Sequence, residues 1–378
     1  GAGGWFDVRV DPDLWRFNLS YSWYGALSTY SYRRGVVAFD AGAHVMRYHR
    51  DHYLGIWPTL DDRVYDNTGH KSEQSVFAKV QLTQGRATWF GDLQLRRSAF
   101  RYAPDKNAGV PGPSIDWGFL NPRAGVTWRQ TEAVSLFASV GAVRREPTRD
   151  DMFVGADNLD ASNAASIVPL DHVRPEQVVD YEAGIHWVRG DVRASANLFA
   201  MEFSEEIAPV GALSLTGSPL RVNVGASHRR GVEGELQWQA TPRLALDATV
   251  AITDARIHRY TDAAGGTVYR NVRSRLTPVV VATQSATWRA GRGVTLLADA
   301  RAVSGSALTS TGNREAVLPG YLLADAAVSW ARGASQVTVR VNNVLDRLAY
   351  GSGYASAGVN YVFPFATRHL MIDVRRSF

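Results

Sequence analysis

The sequence predicts an all-β chain, a transmembrane antiparallel up-and-down β-barrel with about 15 strands in view. Three observations predict it. Apolar and polar residues alternate with a period of two in one segment after another. Connections between these segments alternate between short and long along the chain. Trp128, Trp187, Trp238, Trp288 and Trp330 each take the last outward position before a short turn. In an up-and-down sheet alternate connections lie at one end, so the short turns and these indoles share a rim, as an interface girdle.

Residues 321–342 show the pattern most plainly. Leu322, Ala324, Ala326, Val328 and Trp330 alternate with Leu323, Asp325, Ala327 and Ser329; beyond a tight turn, Val337, Val339 and Val341 alternate with Thr338, Arg340 and Asn342. Alone, this hairpin favours a soluble sheet with one dry face over a membrane wall. Repetition decides between them. A Greek-key sandwich would segregate neither its loops by length nor its tryptophans by end.

Taken in order, residues 1–22 form a poorly defined stretch in which 5–10 reads as a strand or part of a truncated loop. Strands are expected near 23–30, 36–48, 76–82 and 87–97, with 49–73 a long loop. Further strands follow at 122–128, 134–143, 179–187 and 192–203, with 144–177 the longest connection. The rest fall at 222–238, 244–257, 279–288, 294–303, 322–330, 337–341 and 367–378. Leu244, Leu246, Ala248, Val250 and Ile252 would face lipid, and Asp247, Thr249 and Thr253 the lumen. Val294, Leu296, Ala298 and Ala300 oppose Thr295, Asp299 and Arg301 in the same way. Gln284 breaks the apolar face of its strand, which suggests a bulge there.

Composition bounds the alternatives. The chain has 378 residues, 20% charged and 45% hydrophobic, and a mean hydropathy of −0.18. No run approaches about 18 apolar residues, which excludes a helical span; interleaved strands average out to this hydropathy. Cysteine is absent, which fits an exported protein that needs no disulfides. The opening GAGGWFDVRV lacks a basic and an apolar leader region, so a signal peptide has been removed or the chain begins in the middle of something. The net charge is +5, but the arginines are scattered without a basic cluster or stacking motif, which argues against nucleic acid as a partner.

No catalytic motif is present: no Gly-x-Ser-x-Gly, no His-Glu-x-x-His, no phosphate loop. The chain reads as a non-enzyme with no cofactor. His49 and His52, with Tyr48, Asp51 and Tyr53, could ligate a metal, but a solvated loop cluster is the expected reading, so no metal site is assigned. Lumen-facing Glu233 and Glu235 are expected to pair with arginines or an inserted domain. Arg144, Arg145, Arg149, Asp150 and Asp151 read as a solvated strand end. Tyr350, Tyr354, Tyr361, Phe363 and Phe365 crowd the last outer loop, where they would either pack it or capture a ligand.

Several stretches together resemble the C-terminal part of the barrel of TonB-dependent outer-membrane receptors. Residues 121–153 are similar to the family's strand–turn–strand leading to an Arg-x-Pro loop. VRPEQVVDYEAGIHW (173–187) matches its Pro-Glu and Tyr-Glu-x-Gly pattern, and RRGVEGELQW (229–238) its Arg-Gly-Val-Glu strand. VNNVLDRLAY (341–350) resembles the Asn-Leu-Phe-Asp box near the C-terminus, and the chain ends on Phe378, an assembly signal in that family. Arg376 departs from the apolar residue usual there.

The resemblance implies a 22-stranded barrel with an N-terminal plug, in the outer membrane of a Gram-negative bacterium. It implies import of a scarce nutrient such as a ferric siderophore, energised by the TonB complex through the plug, and insertion into lipid by the barrel assembly machinery. Residues 1–378 are then expected to be the C-terminal portion of the barrel, with the plug and roughly seven strands outside it. An odd count of strands would bring the first and last together in parallel. Arg144, Arg145, Arg149, Tyr350, Tyr354, Tyr361 and Phe363 are the expected substrate-binding residues. The alternatives are a passive outer-membrane channel of 14–16 strands without a plug and a soluble all-β binding module.

Overall fold

The computed structural model describes residues 2–10, 13–59, 62–213, 219–261 and 266–377. The wall begins with β1 (Ala2–Val10), β2 (Asp13–Arg34), β3 (Val37–Ile56), β4 (Arg63–Gln84) and β5 (Ala87–Ala103). It continues through β6 (Ser114–Arg129), β7 (Val134–Arg145), β8 (Glu176–Arg189) and β9 (Val192–Ser204). A hairpin of β10 (Ile207–Leu213) and β11 (Pro219–Asn223) precedes β12 (Ala226–Thr241) and β13 (Leu244–Thr261). Then come β14 (Val268–Arg273), β15 (Val280–Gly291) and β16 (Val294–Val303). The short pair β17 (Ser306–Ala307) and β18 (Val317–Leu318) leads to β19 (Tyr321–Arg332) and β20 (Ser335–Asn342). The hairpin of β21 (Tyr350–Ser356) and β22 (Val359–Pro364) precedes β23 (His369–Arg376).

Seventeen strands form one sheet. Because β14 and β15 both pair with β13, one above the other, they share a lane, and the seventeen strands make sixteen antiparallel lanes in chain order. Fifteen of these are the expected strands. The sixteenth is β1, which pairs along its length with β2. It makes the count even, so the first and last lanes run antiparallel and the parallel meeting expected from an odd count does not arise. Among the described residues β1 pairs only with β2, and β23 only with β20.

The short turns sit where their residues demand it. Gly85 and Gly190 take φ of +59° and +56°, which an L side chain enters only with strain. In the turns without such a glycine, Thr131 and Thr241 each accept two backbone N–H bonds through their Oγ1, at 3.0–3.2 Å. These local bonds fix the register of β6–β7 and β12–β13.

The strict alternation of loop lengths holds only in part. The long loop expected over 49–73 is instead strand: β3 and β4 stay paired as far as Gly55 and Arg63, and six residues connect them. The β1–β2 connection is residues 11–12, outside the described residues. The expected strand 222–238 is broken between β11 and β12. No bulge relieves Gln284, which pairs regularly with Ala248 and Ala300; the register shift in β15 lies at the turn, between Arg289 and Gly291. Gln284 remains exposed on the apolar face.

Outward-facing Val250, Ile252, Leu322, Val328 and Val339 are exposed, as lipid-facing residues are when lipid is absent. The other face carries ion pairs and hydroxyl bonds: Arg340–Asp299 at 3.3 Å, Arg123–Glu182 at 3.6 Å, Thr249–Thr283 at 2.6 Å. Four lumen-facing phenylalanines lie over glycines directly opposite them: Phe77 on Gly42, Phe90 on Gly125, Phe137 on Gly184 and Phe199 on Gly231. A Cβ at any of these glycines would come within 2.4–2.7 Å of the ring. The wall itself has little core. The buried apolar clusters gather at the long-loop end.

Candidate functional site

A strand needs about 9–11 residues to cross a bilayer. β3 and β4 have 20 and 22, so with their short-turn ends at one rim they rise well past the far one. Their upper parts form one side of a mouth. Residues 146–175 fold back onto it, burying Met152, Phe153, Leu159, Ile167 and Leu170 against Phe100, Tyr102, Trp117 and Phe119.

The start of this loop is fixed by charge. Glu146, 3% exposed, accepts from Lys71 Nζ and Arg96 Nη1, each at 2.6 Å, and from Ser98 Oγ at 3.0 Å. Burial alone would raise its carboxyl, but the hydrogen bonds from Arg96 and Lys71 outweigh burial and hold it well below the usual carboxylate range. One turn of helix follows, α1 (Arg149–Met152), opened by a capping box in which Thr148 and Asp151 bond each other's backbone N–H. Asp151 also accepts from Arg221 Nε of β11 at 2.8 Å. Arg174 and Asn223 exchange a second pair of bonds between loop and hairpin, at 2.8 and 2.9 Å.

Deeper in the mouth, Arg50, His52, Tyr65 and Asn67 project from β3 and β4 beneath the loop. Asn67 Nδ2 donates to the Asp157 carbonyl at 3.1 Å and Tyr102 Oη to Asn158 Oδ1 at 3.3 Å. Burial, then Arg50 and Arg149, push His52 down to about 3, so it is neutral. Burial raises Asp157, against the pull of Arg149 and Arg50. Arg50 is lowered by burial and then by Arg149. Its one hydrogen-bond contact among the described residues is His52 Nδ1 at 3.4 Å, and no carboxylate pairs with it. A guanidinium in this state favours an incoming anion.

The expected site residues divide into two groups. Arg149 is half-buried, stacks over Phe153 at 4.9 Å, and donates to the Ala156 carbonyl at 3.0 Å; it ties the loop down. Arg145 pairs with Glu176 at 2.9 Å, and Arg144 donates to Gln177 at 2.7 Å. The run 144–151 is a solvated strand end only in part: Arg144 and Asp150 are exposed, whereas Asp151 is buried and Arg149 half-buried. On another side of the mouth, Tyr354 stacks on Tyr361 at 4.9 Å and lies 6.3 Å from Phe363, while Tyr350 packs against Leu308, Ala316 and Leu318. Tyr361 and Phe363 are exposed. Arg275 holds this hairpin through the Gly353 carbonyl at 3.0 Å, and Asn360 through that of Glu315 at 2.8 Å.

The sequence reading missed Arg50, Asn67, Glu146 and Asp151. Thr-x-x-Asp at 148–151 is a helix-start signal that could have found Asp151; nothing local marked the others, and the partners of Asn67 and Glu146 lie far along the chain.

The remaining expectations can be placed. His49 and His52 face opposite sides of β3 and cannot share a ligand; His49 meets His70 at 3.3 Å and Asp51 at 3.0 Å. Among the described residues no three His, Asp or Glu are grouped to hold a metal. Among the described residues Glu235 accepts from Gln237 at 2.8 Å and from no arginine. Trp128, Trp187, Trp238, Trp288 and Trp330 pair with Leu136, Val134, Leu246, Leu296 and Val337 beside their short turns. All five are exposed, and Trp89 joins them. Phe378 lies outside the described residues.

A family profile described as "TonB dependent receptor-like, beta-barrel" matches residues 4–344. No curated protein matches. Among solved structures the chain is similar to the ferric citrate transporter FecA in its unliganded form, with TM-score 0.78 and 15% identity over 100% of this chain and 57% of that one. It is similar to the ferric yersiniabactin uptake receptor FyuA from Yersinia pestis, with TM-score 0.74 and 15% identity over 99% and 57%. The copper transporter OprC gives TM-score 0.73 and 15% identity over 97% and 57%. At this identity the likeness is one of fold, and the chain spans little more than half the length of each.

Proposed function

This chain belongs to the TonB-dependent receptor β-barrel family, and from that premise we propose that it forms the wall and outer mouth of an outer-membrane receptor importing a scarce nutrient. A ferric siderophore or a similar metal chelate is the substrate class that best fits. The observation that carries the reading is the family match over residues 4–344; the outward-apolar wall and the interlocked outer loop support it. Two of the similar structures are a ferric citrate transporter and a ferric yersiniabactin receptor, and one is a copper transporter, which supports a chelated metal as cargo. In this reading the girdle of Trp128, Trp187, Trp238, Trp288 and Trp330 marks the periplasmic interface of a Gram-negative outer membrane.

The roles follow from chemistry. Arg50 supplies a positive charge without a direct ion pair beneath the loop, and Tyr354, Tyr361 and Phe363 supply flat apolar area at the rim. Arg144, Arg145 and Arg149 shape the mouth by holding the loop. Energy comes from the TonB complex acting through a plug, as the family implies; the lipid bilayer and the barrel assembly machinery are the other partners. The test is uptake of iron-55 by cells expressing the full-length gene. We expect accumulation that requires TonB and the proton-motive force. Size-limited leakage indifferent to both would overturn the reading.

A further inference from the structure

A groove opens on the outward face of β3 to β7, away from the mouth cluster and from the lumen. Its cause is a split in the sheet. Among the described residues β6 stays paired with β5 up to Ser114, but its pairing with β7 ends at Arg123 and Gly141. Above that row the two strands part, and Asn121 Oδ1 accepts the Arg144 N–H at 3.0 Å in place of the ladder. The groove beside this split holds about 670 Å³. Exposed Val45, Val76, Leu95 and Leu120 line it, together with Arg97 and Arg144. Gly118 lies on the strand between these two arginines, and a Cβ there would meet nothing within 4 Å.

Strand length sets its height on the wall. Counting from Trp89 of the girdle, Arg97 is the ninth residue along β5, and about 9–11 residues cross a bilayer. Val45, Gln74, Arg97 and Gly118 form one cross-strand row; Ala43, Val76, Leu95 and Leu120 form the outward row next nearer the girdle. The apolar belt therefore ends at Arg97, at the far interface.

Charge singles out this sector. From the Arg97 row through the next two outward rows, β3 to β6 carry Arg47, Arg97 and Arg101 against Asp116. Arg144 of β7 adds a fourth arginine, bonded to neutral Gln177 at 2.7 Å. Arg97 meets Asp116 only at 3.6 Å, with both exposed. Arg47 and Arg101 have neither an ion pair nor a hydrogen bond among the described residues. On β9 to β13 the outward charges instead cancel in pairs, Arg230 with Glu202 at 2.6 Å and Arg256 with Asp254 at 2.9 Å. A positive rim above an apolar groove complements an amphiphile with an anionic head. Its acyl chain lies on the valines and leucines, and its phosphate accepts charge-assisted N–H bonds.

We propose that this groove seats a phosphorylated glycolipid of the outer leaflet, its phosphate on Arg97 and Arg144 and an acyl chain on the apolar floor. This rests on the receptor reading for the membrane and for which end of the wall faces out.

The test is titration of the full-length protein in detergent with diphosphoryl lipid A, and with the same lipid stripped of its phosphates. We expect diphosphoryl lipid A to bind, the stripped lipid to bind about tenfold more weakly, and affinity to fall as salt rises. Arg97→Gln should weaken binding about fivefold. Gly118→Leu, which fills the groove and leaves its charges in place, should weaken it about tenfold. Arg289→Gln, at the short-turn rim, should bind as the parent does. Each variant is first checked for heat-modifiable migration, and should Gly118→Leu fail to fold, Arg97→Gln decides. No binding to the parent, equal binding of the two lipids, undiminished binding in Gly118→Leu, or an equal loss in Arg289→Gln would each overturn the proposal. So would displacement of the lipid by equimolar inorganic phosphate, which would leave an anion site without a lipid. No lipid A binding with TonB-dependent uptake intact sinks this proposal alone; lipid A binding with TonB-independent leakage sinks the receptor reading alone.

Discussion

The wall has a tall side and a low side. β2 to β6 run 22, 20, 22, 17 and 16 residues, whereas β16, β19, β20 and β23 run 10, 12, 8 and 8. On the tall side the backbone ladder continues past the bilayer, and the folded loop 146–175 packs on it through buried rings and a shared carboxylate. On the low side the ladder stops near the membrane. What rises above it is a set of separate hairpins held by a few side-chain bonds, such as Arg275 to Gly353. Outer structure built as a continuation of the sheet inherits its cooperativity, while hairpins set on a rim can open one at a time. The tall side therefore suits a fixed frame, and the low side suits parts that yield.

The sharpest way to break this contrast is to remove the carboxylate that pins the tall side. Glu146→Gln leaves Lys71 facing a neutral group while Arg96 keeps Glu73 at 2.6 Å, and with Lys71 partly exposed the cost should fall below the about 3–5 kcal/mol of breaking a fully buried pair. Hydrogen exchange should rise across 146–175 and stay unchanged in the β21–β22 hairpin; a rise in both would merge the two sides. Next in size, Ala298→Arg, on the lipid face of the low side, should cost about 2–4 kcal/mol, while Thr295→Arg, on the lumen face, should cost far less. Equal heat-modifiable folding of the two variants would count against the assigned faces.

A pH effect comes third and belongs to the tall side. His52 has a folded pKa of about 3 against about 6.5 unfolded, so the unfolded or opened state binds the proton. The stability this contributes is present above about pH 6.5 and is lost as pH falls toward 3, with a slope of at most about 1.4 kcal/mol per pH unit. Protection of 146–175 should fall on acidification, and His52→Phe should flatten that fall; an unchanged profile would remove His52 from the account. The smallest effect is expected at Tyr361→Ala, which unstacks Tyr354 at an exposed site and costs about 0.5–1.5 kcal/mol. It should leave 146–175 untouched.

The wall was legible in the sequence because a strand with one lipid face writes its period into every second residue. That is why 294–303 and 322–330 were located to within a residue or two. The tall side was harder to read: above the bilayer both faces of β3 and β4 are polar, so the pattern that marks a strand vanishes at His49 although the pairing does not. β1 was left open between strand and loop, because its alternation at 5–10 is too short to decide. The mouth was legible only where its chemistry is local, as at the aromatic run at 350–365; the helix-start signal Thr148-x-x-Asp151 went unread. Glu146 finds Lys71 and Arg96 across three strands, and a single sequence holds no trace of such a meeting.

The phenylalanines that lie flat on Gly42, Gly125, Gly184 and Gly231 set an order on how this lumen can change by descent. At each of these glycines a methyl would meet the ring and also a carbonyl of the adjoining strand, Ser28, Ala138, Ala196 or Ile252, at 2.2–2.7 Å. Shrinking the ring removes only the first obstacle. The aromatic partner is therefore free to drift, at the cost of lost packing, while the glycine is pinned by backbone that no single codon can move. Over generations the rings should come and go along this belt, and the four glycines should stay.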